Sequence, residues 1–267
     1  MASYITLFKI RFINGLQYRM AAYAGVSTQF AWGFLNILLF GAFYSENPAN
    51  FPMSFDQFVA YTWLNQALLA LFAIWGWDRA IFEDISSGNI AYELARPVNL
   101  YNMWLTRGLA TRLSRVALRC LPILVVALLL PERYRLMLPS SPAVFALFFI
   151  SLVSAFILAS LYSMYFYILS FNTINSTGVR SLGAAVTDLL SGFLIPLPFF
   201  PAPVYRVLNL LPFASMQNTP FFIYSGYIDE REAVFRILVQ LFWIGVMYIT
   251  GQALLKRSLS KIIIQGG

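Results

Sequence analysis

The stretch Ala143–Ser170, AVFALFFISLVSAFILASLYSMYFYILS, carries no charged side chain. About 20 consecutive apolar residues in a helix cross the roughly 30 Å hydrocarbon layer of a bilayer, so this run predicts a membrane-spanning helix. Working outward from it, five more apolar stretches predict spans: Ala21–Tyr44, Phe58–Trp77, Ala110–Leu130, Ala184–Phe200 and Phe235–Leu255. Of the six, Ala184–Phe200 is the shortest. The expected fold is therefore an all-α membrane protein with six transmembrane helices in a single domain, residues 1–267.

Composition excludes the main alternatives. The 267 residues are 60% apolar and 11% charged, against about 25% charged in soluble domains. So few charges cannot cover a water-facing surface, and lipid must cover much of the chain. The 17% aromatic content suits interfacial belts. A net charge of +7 would point to nucleic acid in a soluble protein, but here it marks the cytoplasmic side, and no nucleic-acid partner is expected. There is no His and one Cys, Cys120, which removes the commonest general base and metal ligand and any intrachain disulfide. No cleavable signal peptide is read at the start: the first apolar run is too long for one.

With both termini in the cytoplasm, thirteen of the 18 Lys and Arg residues fall inside, Lys261 among them, and five fall outside: Arg133, Arg135, Arg206, Arg231 and Arg236. Cytoplasmic loops carry the excess of Lys and Arg, so this sets the orientation. Residues 1–20 form a separate feature. Ile5, Phe8, Phe12 and Leu16 share one helical face, with Lys9, Arg11 and Arg19 off it, predicting a helix lying in the cytoplasmic interface.

The loop after the second predicted span is the most informative part of the chain. In the region 78–107, Ile81, Phe82 and Ile85 share a face of a short helix that also carries Glu83 and Asp84. Gly88 is placed to end it, because glycine enters the left-handed region without steric cost. A second turn, Ile90–Leu94, follows before Arg96-Pro97 breaks the chain again. Ile81, Phe82, Ile85 and Ile90, taken as exposed and rimmed by charge, suggest a surface for a partner protein.

A long helix is expected from Asn99, a good N-cap residue, to Leu130, with a kink at Pro122. Its length of about 48 Å exceeds the hydrocarbon layer, so its first part lies along or below the membrane surface. Arg112, Arg115 and Arg119 form one stripe on it. Two readings are open: snorkelling to lipid phosphates, or contact with an anionic substrate or an acidic side chain. Asp188, a turn into the fifth predicted span, should face the bundle interior and pair with Arg180 or an arginine of the third span, as a structural, substrate-binding or gating residue. In the segment 196–232, Pro196, Pro198, Pro201 and then Pro212 forbid one straight helix in an apolar setting. A re-entrant helical hairpin between the fifth and sixth spans is the expectation, since such backbone is tolerated in a membrane only where protein or water covers it.

Glu83-Asp84-Ile85 with Ser87-Gly88 and Ile90, leading to Leu94 and Arg96-Pro97, together with Gly192, Pro196, Pro198, Pro201 and Asn209-Leu210-Leu211-Pro212-Phe213, resembles type-2 ABC transporter permeases, in particular a bacterial subfamily of about this length. The basic C-terminal segment and Gly266-Gly267 are similar too. The resemblance implies six helices per subunit, a cytoplasmic-membrane location and a coupling helix near Ile81–Gly88 that docks on an ATPase. It implies a working unit of two ATPase subunits and two permease subunits, identical or paralogous, and, as a rule, export. No Gly-x-x-x-x-Gly-Lys-[Ser/Thr] occurs, so ATP and Mg are expected on the ATPase subunit and no cofactor on this chain, which is not expected to be an enzyme. The apolar, aromatic lining leans toward an amphipathic substrate. The alternatives are a secondary transporter using Asp188 and Glu93, although no internal repeat is visible, and a non-transporting scaffold or sensor.

Overall fold

Ser54 opens the helix around which the others gather. Its side chain accepts the N–H of Gln57 while the Gln57 side chain accepts the N–H of Ser54, a reciprocal cap. The helix it starts, Phe55–Phe72, is enclosed by neighbours: every residue from Phe58 to Leu68 is buried.

The structure is a computed structural model that describes residues 2–173 and 176–260, without the side chains of Arg19 and Ala21. Lys261, Gly266 and Gly267, invoked above, lie outside the described residues, as does the side chain of Arg19. Among the described residues the chain is all helical: α1 (Ala2–Gly15), α2 (Arg19–Glu46), α3 (Phe55–Phe72), α4 (Arg79–Ser87), α5 (Ile90–Leu94), α6 (Leu100–Leu129), α7 (Pro142–Ser170), α8 (Ser176–Leu190), α9 (Ala202–Leu210), α10 (Pro212–Tyr224) and α11 (Glu230–Leu259). Around α3 stand α2, α6, α7 and α10; α11 packs along α7, and α1 lies on α6.

Among the described residues, three helices are long and apolar enough to cross a membrane, Ala22–Glu46, Pro142–Ser170 and Glu230–Leu259. α3 and α6 miss that standard through polarity rather than length. α3 carries Thr62, Asn65 and Gln66, all buried, as a helix surrounded by protein can. α6 carries Arg107, Arg112, Arg115 and Arg119. The expected fifth span, Ala184–Phe200, is corrected. Its helix is α8, Ser176–Leu190, about 22 Å long, and the chain turns at Gly192 (φ 76°) before a short turn at Leu197–Phe199. The second span also shifts, ending at Phe72 rather than Trp77.

Acceptor side chains cap two of the long helices, the first as expected. Asn99 caps α6 by accepting the N–H of Asn102 at 3.0 Å, and Asp229 caps α11 by accepting that of Glu232 at 2.7 Å. α6 runs as one helix through Pro122. α1 has no buried residue. It is held to α6 at Tyr4, whose hydroxyl accepts the N–H of Asn99 at 3.0 Å. Ile5, on its apolar stripe, is exposed, and Phe8 stacks on Phe12.

The prolines open the short helices rather than sitting inside a long one. Pro196 precedes the Leu197–Phe199 turn that contains Pro198, Pro201 precedes α9, and Pro212 starts α10. These positions need no backbone N–H from the helix, which is why proline is tolerated there. The α9–α10 joint reaches the middle of α11: Trp243 Nε1 donates to the Leu210 carbonyl at 2.9 Å. Next to it, Phe213 meets Tyr162 of α7 edge-on at 5.6 Å. Arg236 of α11 ties α9 down, donating to its Asn209 and Tyr205 at 3.0 and 3.2 Å, and also holds Glu232 of its own helix at 2.6 Å.

Candidate functional site

Asp78 starts α4 by accepting the N–H of Ala80 at 3.2 Å. Gly88 ends it at φ 81°. Nothing lies within 4 Å of the place a Cβ would take there, so the backbone twist, not crowding, calls for glycine. α5 follows at once. The expectation of an exposed apolar patch at Ile81, Phe82, Ile85 and Ile90 is corrected. Ile81, Phe82 and Ile90 are buried and Ile85 is half-buried against the core. Phe82 packs against Tyr167 at 4.9 Å, and the Arg180 guanidinium lies over its ring at 4.3 Å. Amphipathic spacing shows that one side of α4 must be covered but not by what, and here the cover is α7 and α8 of the same chain. The side turned outward carries Glu83, Ser87, Gly88 and Tyr92, the last 75% exposed, with Arg96 beyond; Asp84 is half-buried.

A buried charge cluster fixes this knob to α6. Arg107 donates through Nε and Nη2 to Asp78 Oδ2 at 3.2 and 2.9 Å, and through Nη1 to Glu93 Oε1 at 2.8 Å. The other Glu93 oxygen accepts from Trp104 Nε1 at 2.7 Å. The Asp78 N–H donates to the Tyr167 hydroxyl at 2.9 Å. Two carboxylates, one before α4 and one in α5, thus converge on a single guanidinium. Nothing local in the sequence joins Asp78, Glu93 and Arg107. Glu93 and Arg107 stand 14 positions apart across a helix break, and no periodicity carries across one.

The arginine stripe separates into different environments. Arg112 is buried and donates to the carbonyls of Leu71 and Ala73 at 2.8 and 2.9 Å and to Ser163 Oγ at 2.6 Å. Those carbonyls end α3, where a helix leaves acceptors without partners of its own. Arg115 reaches the Gly76 carbonyl at 3.2 Å. Arg119 lies beside α2, where a Cβ on Gly25 would come within 2.7 Å of its guanidinium carbon.

Asp188 is half-buried and lines a narrow crevice with Leu69, Trp75, Thr187 and Gln217. The expected pairing with Arg180 or an arginine of the third span is corrected: Asp188 forms no ion pair among the described residues. Arg180 bonds instead to Ser176 and Thr177 at the start of its own helix, two to three turns away. Beside the crevice sits a polar cluster that no local sequence signal marks. The Tyr61 hydroxyl is 2.9 Å from both the Gly192 carbonyl and Asn218 Oδ1, and Asn218 Nδ2 donates to the Ser191 carbonyl. A Cβ on Gly192 would lie 2.7 Å from the Asn218 amide. Gln217 Nε2 and Asn65 Oδ1 are buried there without a hydrogen-bond partner among the described residues.

Long apolar helices packed around a few buried polar side chains, with a charged knob fastened to α6, are the build of a membrane protein. The chain belongs to a particular family of these: residues 30–266 match the model of the ABC-2 family transporter protein. It is thus a type-2 ABC permease, a membrane component that is not itself the catalytic part and that works in its family with an ATPase partner. A search of curated proteins returns no match to this chain.

Proposed function

We propose that this chain is one of two membrane subunits of an ATP-driven exporter in a bacterial cytoplasmic membrane, moving an amphipathic substrate under the drive of two separate ATPase subunits that hold ATP and Mg. The second membrane subunit is a copy or a paralogue. In this reading six segments cross the bilayer: α2, α3, α6, α7, α8 and α11. α9 and α10 dip in and out from the outer side, and α1 lies in the inner interface. The thirteen-to-five distribution of Lys and Arg supports both termini being cytoplasmic.

The observation that carries the proposal is the two-sided build of the α4–α5 knob. Its inner side is fastened to α6 by Arg107 and to α7 by Tyr167, while its outer side, Glu83, Gly88 and Tyr92, stays uncovered. A rigid lever with a free face passes on a push from a docked protein. Closure of the ATPases on ATP presses this face, α6 and α3 tilt as one, and access to the space between the two permease subunits changes. Asp188 of α8, Gln217 of α10 and Asn65 of the moving α3 are the side chains that take a polar group of the substrate or gate its path.

The test is reconstitution of the permease with its ATPase in vesicles. Glu83→Arg and Gly88→Pro are expected to leave insertion intact and ATP hydrolysis running while transport falls to background. Full transport in both variants would remove the knob from the mechanism.

A further inference from the structure

Asp188 is the one acidic side chain of α8, and it stands about 18 Å along the helix from Ser176. With α8 across the bilayer, that is near the middle of a hydrocarbon layer of about 30 Å. A carboxylate at such depth is costly unless a cation answers it. The chain supplies none. The Asp188 side chain takes no hydrogen bond and no ion pair among the described residues. Arg180 is held by the first turn of α8, and no other charged side chain lines the crevice.

The rest of the wall is neutral. Its polar side chains are Thr187, Ser191 and Gln217, and its rings are Phe72, Trp75 and Phe193. Thr187 is already bonded to Tyr162 and to the Gly183 carbonyl. Gln217 Nε2 is buried without a hydrogen-bond partner among the described residues, so the protein's own groups do not use up the polar lining. The free room is about 10 Å³, which is the size of a single water-sized group. An ammonium is of that size, and a cation is attracted to aromatic rings as well as to a carboxylate. Trp75 is also exposed, so the crevice is not sealed off.

We infer that this crevice seats a primary ammonium group of the cargo, which makes the substrate a cationic amphiphile. The inference rests on the transport reading above and narrows its substrate. Asp188 pairs with the ammonium, the rings flank it, and the apolar tail stays in the lipid-like surroundings. A trimethylammonium head is too large for the space, and a hydroxyl lacks the charge.

The test needs no ATPase, so its outcome is independent of the transport test. The full-length chain in phosphatidylcholine nanodiscs is titrated with dansylcadaverine, a fluorescent primary amine with an aromatic tail. Binding is read by fluorescence anisotropy against empty nanodiscs. Wild type is expected to bind saturably, and Asp188→Asn, which keeps the shape and removes the charge, to bind about tenfold or more weakly with an unchanged melting curve. On wild type, decylamine should displace the probe, while decan-1-ol and decyltrimethylammonium should not. Binding no greater than to empty nanodiscs, or undiminished binding by Asp188→Asn, would overturn the inference. So would displacement by decan-1-ol or by decyltrimethylammonium as effective as that by decylamine.

Discussion

Arg107 is the residue on which the knob depends. It is almost fully buried and answers two carboxylates from different segments. Removing one member of such a cluster leaves the others buried and uncompensated, which costs about 3–5 kcal/mol. Arg107→Met is therefore expected to lower the unfolding temperature sharply, with a change in the fluorescence of Trp104, whose indole N–H bonds Glu93. Tyr92→Ala makes the opposite case. Its ring is exposed, and a surface substitution moves stability within about 0.5 kcal/mol. It should melt as wild type does and yet weaken copurification with the ATPase; if Tyr92→Ala copurifies undiminished, the outer side of α5 is not the docking face.

Helices packed within lipid gain nothing from the hydrophobic effect against one another, so close contact and polar ties hold them. Gln240 of α11 is such a tie. It is fully buried, accepts from Ser151 Oγ of α7 at 3.0 Å and donates to the Ser215 carbonyl of α10 at 2.8 Å. Gln240→Leu is expected to cost about 0.6–1.7 kcal/mol, the range of such interhelical bonds, measured as a lower midpoint in denaturant titration of micellar protein. Between α4 and α5 the controlling feature is conformational. Gly88→Val must place a β-branched residue in the left-handed region, at roughly 1–2 kcal/mol. With open space around that position, the damage should stay in the angle between the two short helices, and transport should suffer more than thermal stability.

Across the whole molecule, sidedness is what the transport reading requires. Tyr92 and Arg133 are both exposed, at ends that the distribution of charge assigns to opposite sides. In a Cys120→Ser background, a membrane-impermeant maleimide added to intact cells should label an Arg133→Cys variant and spare a Tyr92→Cys variant. Labelling of the latter from outside would put the knob on the wrong side for any cytoplasmic ATPase. The same inside-out logic explains why α3, at the centre, is polar. Its partners are α2, α6, α7 and α10 rather than lipid, and the tyrosine–asparagine–glutamine cluster around Gly192 lies on that enclosed surface.

Local chemistry and composition determined a good deal without any tertiary information. They set the all-helical membrane class, the cap at Asn99, the left-handed stop at Gly88, and the break in the helix at the prolines. Each depends on a few adjacent residues or on the summed apolarity of one stretch. Only the tertiary structure decided that Ile81 and Phe82 face inward, that Arg112 answers the end of α3 while Arg115 reaches the Gly76 carbonyl, that α8 stops at Leu190, and that Asp78, Glu93 and Arg107 form one cluster. Periodicity says that a face must be covered; which neighbour covers it, and which distant charge it meets, depends on packing between segments that are far apart in the chain.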